Sequence, residues 1–72
     1  MNIEKLKAKL NGLMSVYSVK LQQQAYERKT LSNGKVYYTD RWSEIQLEMD
    51  PLAYEIEELD NYLYELENEN EL

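Results

Sequence analysis

Apolar residues return at Ile45, Met49, Leu52, Ile56, Leu59, Leu63 and Leu66, at alternating gaps of four and three. That is an unbroken heptad seam, and it predicts a helix that needs a partner along one side. Between the seam positions the chain is acidic, with Glu48, Asp50, Glu55, Glu57, Glu58, Asp60 and Glu65, continuing through Glu67, Glu69 and Glu71. A second, less regular pattern of Ile3, Leu6, Leu10, Leu13, Met14, Tyr17, Leu21 and Ala25 predicts a first helix over about 3–28, with Asn2 as its N-cap. Gly12 and the Ser15–Val19 stretch are weak helix formers within it, and a strand over 15–20 is the competing reading. In the Gln22–Gln24 run only Gln24 falls on the stripe.

Asn33-Gly34, flanked by Thr30-Leu31-Ser32 and Lys35-Val36-Tyr37-Tyr38, predicts a hairpin or tight loop over 29–39. A two-residue type I′ turn requires positive φ at both central residues, which Asn and Gly tolerate best. An isolated hairpin is marginal in water. Leu31 and either Val36 or Tyr37 are therefore expected to face the helices. Asp40 then reads as an N-cap. Pro51 disfavours helix at Asp50, so a short helix over 41–49 and a long acidic one over 51–68 are expected, with a frayed tail at 69–72. The alternative is one kinked helix, because the heptad phase passes through Pro51 without a slip.

These elements define a mainly α fold: a small antiparallel helical hairpin, one domain over 1–72, with a short β-hairpin or tight loop between the helices. A chain this short has little interior. With no cysteine and no histidine, a disulfide is excluded and a zinc or haem staple is not expected. A homodimer making a four-helix arrangement is expected instead, because the irregular first helix covers so long a seam poorly. No apolar run reaches the roughly 18 residues of a membrane span, and no signal-peptide h-region follows the N-terminal lysines. A cytoplasmic protein is the expectation.

Charge changes the picture. Residues 1–39 hold seven Lys/Arg against two acids, and residues 40–72 hold Arg41 against twelve. The net charge of −6 therefore divides into a half at +5 and a half at −11. No catalytic nucleophile–base pair, Gly-rich phosphate loop, calcium-loop pattern or metal-ligand set is present, and no enzyme activity or cofactor is expected. The acidic helix reads either as a solvated face or as a functional field. Against the first stands the absence of any Lys or Arg after Arg41, which forgoes i,i+4 pairs. Spaced carboxylates resemble a row of phosphates to a basic groove. Off-seam tyrosines are common interface anchors.

The leading expectation is a small acidic inhibitor or regulator that blocks the basic surface of a host nucleic-acid-binding protein. By analogy of composition it is of the phage or mobile-element type. The expected binding residues are Glu55, Glu58, Glu65, Glu69, Tyr54 and Tyr62. A self-associating assembly protein using the seam is the alternative. Third stands weak nucleic-acid binding through the basic, aromatic hairpin, where Tyr26, Arg28, Lys29, Lys35, Tyr37, Tyr38 and Arg41 cluster. At net −6, direct nucleic-acid binding is not favoured.

Overall fold

In a computed structural model, described over residues 2–71, the chain is a rod of 59 × 18 × 14 Å. Its order is α1 (Ile3–Tyr26), β1 (Arg28–Thr30), β2 (Val36–Tyr38) and α2 (Asp40–Glu71). The fold is mainly helical, with two helices packed against each other and a two-stranded antiparallel hairpin between them. At about 1.5 Å per residue, α1 runs about 36 Å and α2 about 48 Å.

The seam of α2 faces α1. Ile45 is 1 % exposed, Met49 2 % and Leu63 5 %, while Leu52, Ile56, Leu59 and Leu66 are half-buried. The facing stripe of α1 is Ile3, Leu6, Leu10, Leu13, Tyr17, Lys20 and Gln24, again at alternating gaps of three and four. Here the structure differs from the sequence pattern, since Met14, Leu21 and Ala25 are exposed. A 3.6-residue period drifts about 20° per heptad from the 3.5-residue repeat that keeps two helices in contact. The apolar pattern of α1 follows the first period and the packing follows the second. Met14, Leu21 and Ala25 therefore slide onto one flank, and Lys20 and Gln24 take their places.

Among the described residues Gln24 is the buried polar one, at 6 % exposure. Its Nε2 donates to Gln46 Oε1 at 2.7 Å and to the Trp42 carbonyl at 3.4 Å. Gln46 in turn donates to Asp50 Oδ1 at 2.8 Å. Each buried amide is thus satisfied, and the contact fixes the register of α1 on α2 near the hairpin.

Asn2 caps α1 as expected, its Oδ1 accepting from Glu4 N at 2.9 Å and Lys5 N at 3.3 Å. Helix α1 ends at Tyr26, two residues before the expected end, because Arg28 is already paired with Tyr38 in the ladder. Lys29 pairs with Tyr37 and Thr30 with Val36. The turn is not the two-residue type I′ form. Among the described residues only Gly34 has positive φ, at 87°. Gly34 N donates to the Leu31 carbonyl at 2.9 Å, and Leu31 N to the Lys35 carbonyl at 2.8 Å. That is a three-residue loop, Ser32-Asn33-Gly34, with glycine at the left-handed position. Asn33 keeps negative φ, and its Oδ1 accepts from Lys35 N at 3.0 Å.

Every residue of both strands is exposed, and so is Leu31. The hairpin therefore projects past the helices instead of packing a face on them. It is tied at its base: Thr39 N donates to the Glu27 carbonyl at 3.1 Å, and the Thr39 hydroxyl to Glu27 Oε1 at 2.8 Å. The Tyr38 and Trp42 rings add a tilted contact at 4.8 Å. Thr39, not Asp40, caps α2, accepting from Trp42 N through its hydroxyl at 3.3 Å.

The break expected at Pro51 is absent. In place of a short helix over 41–49 and a long one over 51–68, α2 is continuous from Asp40 to Glu71. Pro51 lies on the exposed side, and the carbonyl that loses its donor belongs to Leu47, a residue that is itself exposed. Met49 and Leu52, on either side, stay in the seam and hold the helix in phase. Helix also extends through Glu69 to Glu71, past the expected start of fraying, and Leu72 lies outside the described residues.

Pro51→Ala restores that hydrogen bond and is expected to raise stability by up to about 3 kcal/mol, read as a higher denaturation midpoint with unchanged helicity. Ile45→Ala is expected to cost about 2–5 kcal/mol, a large part of the roughly 4–11 kcal/mol available to a chain of this size. Denaturant titration followed by circular dichroism checks both.

Candidate functional site

The outer surface of α2 divides into two stripes, one on each side of the seam. The first carries Glu48, Pro51, Glu55, Glu58, Tyr62, Glu65 and Glu69, again at alternating gaps of three and four. Five of the six residues expected to bind a partner fall on it. Tyr54 does not; it points outward one step further round and is exposed. Glu55, Glu58, Glu65 and Glu69 are all exposed. Tyr62 sits at the edge of the seam, partly shielded, and has a contact of its own. It joins Lys9, Leu13, Glu55, Glu58 and Leu59 in lining a shallow cleft of about 300 Å³ between the helices.

Ion pairing separates the acids into two groups. Lys7 Nζ meets Glu67 Oε1 at 2.9 Å. Lys20 and Arg41 both reach Glu48 Oε2 at 3.5 Å, and Arg41 also reaches Glu44 at 3.2 Å. Among the described residues, no ion pair involves Glu55, Glu58, Glu65 or Glu69. The pairs that do form are exposed and contribute little individually. They nevertheless show where two of the four lysines of α1 go, near the two ends of the rod. In the middle of the acidic stripe Lys9 lines the cleft beside Glu55 and Glu58 but closes no ion pair with them among the described residues. The Lys7 ammonium, hydrogen-bonded to Glu67, is held above its ordinary range.

Glu58 has a different neighbour. The Tyr54 phenol, four residues back, hydrogen-bonds to its carboxylate, and that bond together with the carboxylate's charge raises the phenol above its ordinary value near 10.0. Tyr54 is therefore connected to the stripe through Glu58 although it lies outside it.

The opposite stripe carries Gln46, Asp50, Ala53, Glu57, Asp60, Tyr64 and Glu67. Beside it run Met14, Ser18 and Leu21 of α1. Met14, Tyr17, Ser18, Ala53 and Ile56, with Glu57 and Asp60 at the rim, line a cleft of about 360 Å³ whose walls are mainly apolar. This flank was not singled out by the sequence pattern, which placed Met14 and Leu21 in the core. At the end of the rod, Arg28, Lys29, Lys35, Tyr37 and Tyr38 are exposed on the hairpin. The rod is thus strongly polarised, cationic and aromatic at the hairpin and anionic along α2.

Among the described residues no group of three or more His, Cys, Asp or Glu side chains is arranged to hold a metal ion. No helix is long and apolar enough to cross a membrane. The chain matches no family model, no curated protein and no solved structure.

The Tyr54–Glu58 bond generates a titration experiment. A raised phenol favours the protonated folded form, so its small contribution is present below the unfolded value and is lost as pH rises through the folded one. Glu58→Gln is expected to bring the Tyr54 midpoint back toward 10.0. Ultraviolet titration of a variant with the other six tyrosines replaced by phenylalanine, with and without Glu58→Gln, reads this directly. An unmoved midpoint refutes the bond.

Proposed function

We propose that the protein is a non-enzymatic interaction module whose acidic α2 occupies a basic, nucleic-acid-binding groove on a partner protein, acting as an inhibitor or regulator in the cytoplasm. The observation that carries this reading is the exposed stripe of Glu55, Glu58, Glu65 and Glu69, none of which closes an ion pair among the described residues. A helix that gives these carboxylates no ion-pair partner forgoes local stability. A partner's lysines and arginines would recover it.

The charge density suits such a groove. Eight acids between Asp50 and Glu69 lie along about 29 Å of helix, about one per 4 Å. One DNA strand carries a phosphate about every 3.4 Å. The rigid rod also presents its charges without an ordering cost on binding. Tyr62, held at the seam edge within the stripe, supplies an aromatic anchor beside the carboxylates. The small-inhibitor, phage-like assignment rests on size and composition alone.

Reversing Glu58 and Glu65 to lysine tests the reading. A tagged, nuclease-treated pull-down from source lysate is expected to capture a nucleic-acid-binding protein at low salt and lose it at high salt, as the screening length falls from about 10 Å at 0.1 M to about 3 Å at 1 M. The double reversal is expected to abolish capture while circular dichroism stays unchanged. Capture that survives the reversal rules the stripe out as the binding surface.

A further inference from the structure

We infer that Asn33-Gly34, at the tip of the hairpin, is a site of spontaneous modification. In the folded chain the Asn33 side-chain amide converts to a carboxylate, leaving an aspartyl or isoaspartyl linkage to Gly34, while the chemically identical pair Asn11-Gly12 is protected by α1. This inference does not depend on the proposed function, because it concerns the hairpin and not the acidic stripe.

The dipeptide carries the chemistry. Both glycines of the chain follow an asparagine. The glycine main-chain nitrogen loses its proton to base in the solvent and attacks Cγ of the asparagine. A C–N bond forms, the Cγ–Nδ2 bond breaks, and Nδ2 leaves as ammonia with a proton from the solvent. The product is a five-membered succinimide. Water opens it at Cγ, which gives aspartyl, or at the main-chain carbonyl carbon, which gives isoaspartyl. In sum one water is consumed and one ammonia released, with no oxidation or reduction. Glycine favours the attack because it has no Cβ to crowd the ring and its backbone turns freely.

Sequence and exposure do not tell the two pairs apart. Asn11, Gly12, Asn33 and Gly34 are all exposed, and a Cβ at either glycine would meet nothing within 4 Å. The backbone separates them. For the nitrogen to reach Cγ, the asparagine must rotate about ψ, which a helix holds at about −42°. Asn11 and Gly12 lie inside Ile3–Tyr26, where N–H groups bond to carbonyls four residues back. Leu10 and Leu13, on either side, are half-buried in the seam. Rotation there breaks α1 and lifts apolar side chains away from α2.

At Asn33 the same rotation opens a single turn. The bond from Gly34 N to the Leu31 carbonyl, 2.9 Å long, must be released. No buried side chain moves with it, since Leu31, Lys35 and all the strand residues are exposed. Opening an exposed turn costs far less than opening a packed helix. The starting geometry also helps. Asn33 Oδ1 accepts from Lys35 N at 3.0 Å, and Gly34 N lies inside the ring that this bond closes. The amide is folded back over the peptide that attacks it, and the Lys35 N–H faces the oxygen on which charge develops.

The conversion alters the end of the rod. Residues 28–39 contain Arg28, Lys29 and Lys35 and no acid, a balance of +3. One carboxylate at position 33 lowers this to +2 and takes the chain from −6 to −7. The isoaspartyl form also routes the main chain through Cγ, which lengthens the loop and removes the Asn33–Lys35 bond.

Trypsin places the two asparagines on separate peptides, 10–20 and 30–35. The folded chain, held in warm, mildly alkaline buffer and sampled over time, is expected to convert at Asn33 at least about tenfold faster than at Asn11. That is the factor supplied by each ~1.4 kcal/mol needed to open the helix. Mass spectrometry reads the amide-to-acid change, and chromatography separates aspartyl from isoaspartyl peptides. In denaturant both sites are expected to convert at comparable rates. Asn33→Gln, whose longer side chain must close a six-membered ring, is expected to suppress conversion of peptide 30–35. An Asn33 that stays intact in the folded chain overturns the inference, as does an Asn11 that converts as fast. A tenfold difference that persists in denaturant overturns it too, because the fold is then not its cause.

Discussion

Everything in this molecule depends on one antiparallel seam. Ile45, Met49 and Leu63 are the buried apolar side chains among the described residues, and all three lie on the line where α2 meets α1. Dispersion and desolvation along that line offset the conformational cost of ordering both helices. An acidic helix with no lysine or arginine after its second residue gains little from its own side chains. It is helical because its apolar edge has somewhere to go. The carboxylates are therefore held at fixed spacing by a contact on the far side of the helix from many of them.

The same seam explains the position of the polar groups. At its hairpin end the apolar stripe of α1 runs out, and Gln24 and Lys20 replace it. Gln24 meets Gln46, and Lys20 reaches Glu48, which Arg41 also holds. Near the other end Lys7 meets Glu67. Directional contacts thus sit toward both ends of the rod and non-directional packing between them. That arrangement fixes register without burying an unpaired charge, which would be far more costly.

Much of this was legible in the sequence. The α2 seam, the helical nature of α1 and the place of the hairpin follow from periodicity and the Asn33-Gly34 signal. The departures share a physical origin: a local preference was outweighed by a longer-range constraint. Pro51 argues for a break, yet the seam on either side holds the helix through it, and Leu47, whose carbonyl it orphans, is an exposed residue. Asn-Gly suits a type I′ turn, yet with Asn33 at negative φ the same dipeptide closes a three-residue loop just as well. Met14 and Leu21 look like core because apolar spacing alone does not distinguish a 3.6 period from a 3.5 one over three turns. Of the candidate binding residues, the shared stripe of Glu55, Glu58, Tyr62, Glu65 and Glu69 could be read from spacing. Which acids keep a cation and which do not depends on the pairing of the two helices, and only the folded chain reveals it.

The hairpin has a consequence of another kind. None of its strand residues is buried, and the Glu27–Thr39 bonds and the Tyr38–Trp42 contact tie its base. The tip, Ser32-Asn33-Gly34, is exposed and takes no part in the seam. Exposed tips of this kind are where proteins accept inserted sequence, and lengthening a surface loop adds only about 0.6 kcal/mol per doubling. A peptide or reporter domain spliced between Asn33 and Gly34 would ride at one end of a stiff rod, its attachment point fixed relative to the acidic helix. The fold thus contains a natural handle by which the charged surface can be carried, immobilised or oriented without altering any residue that forms it.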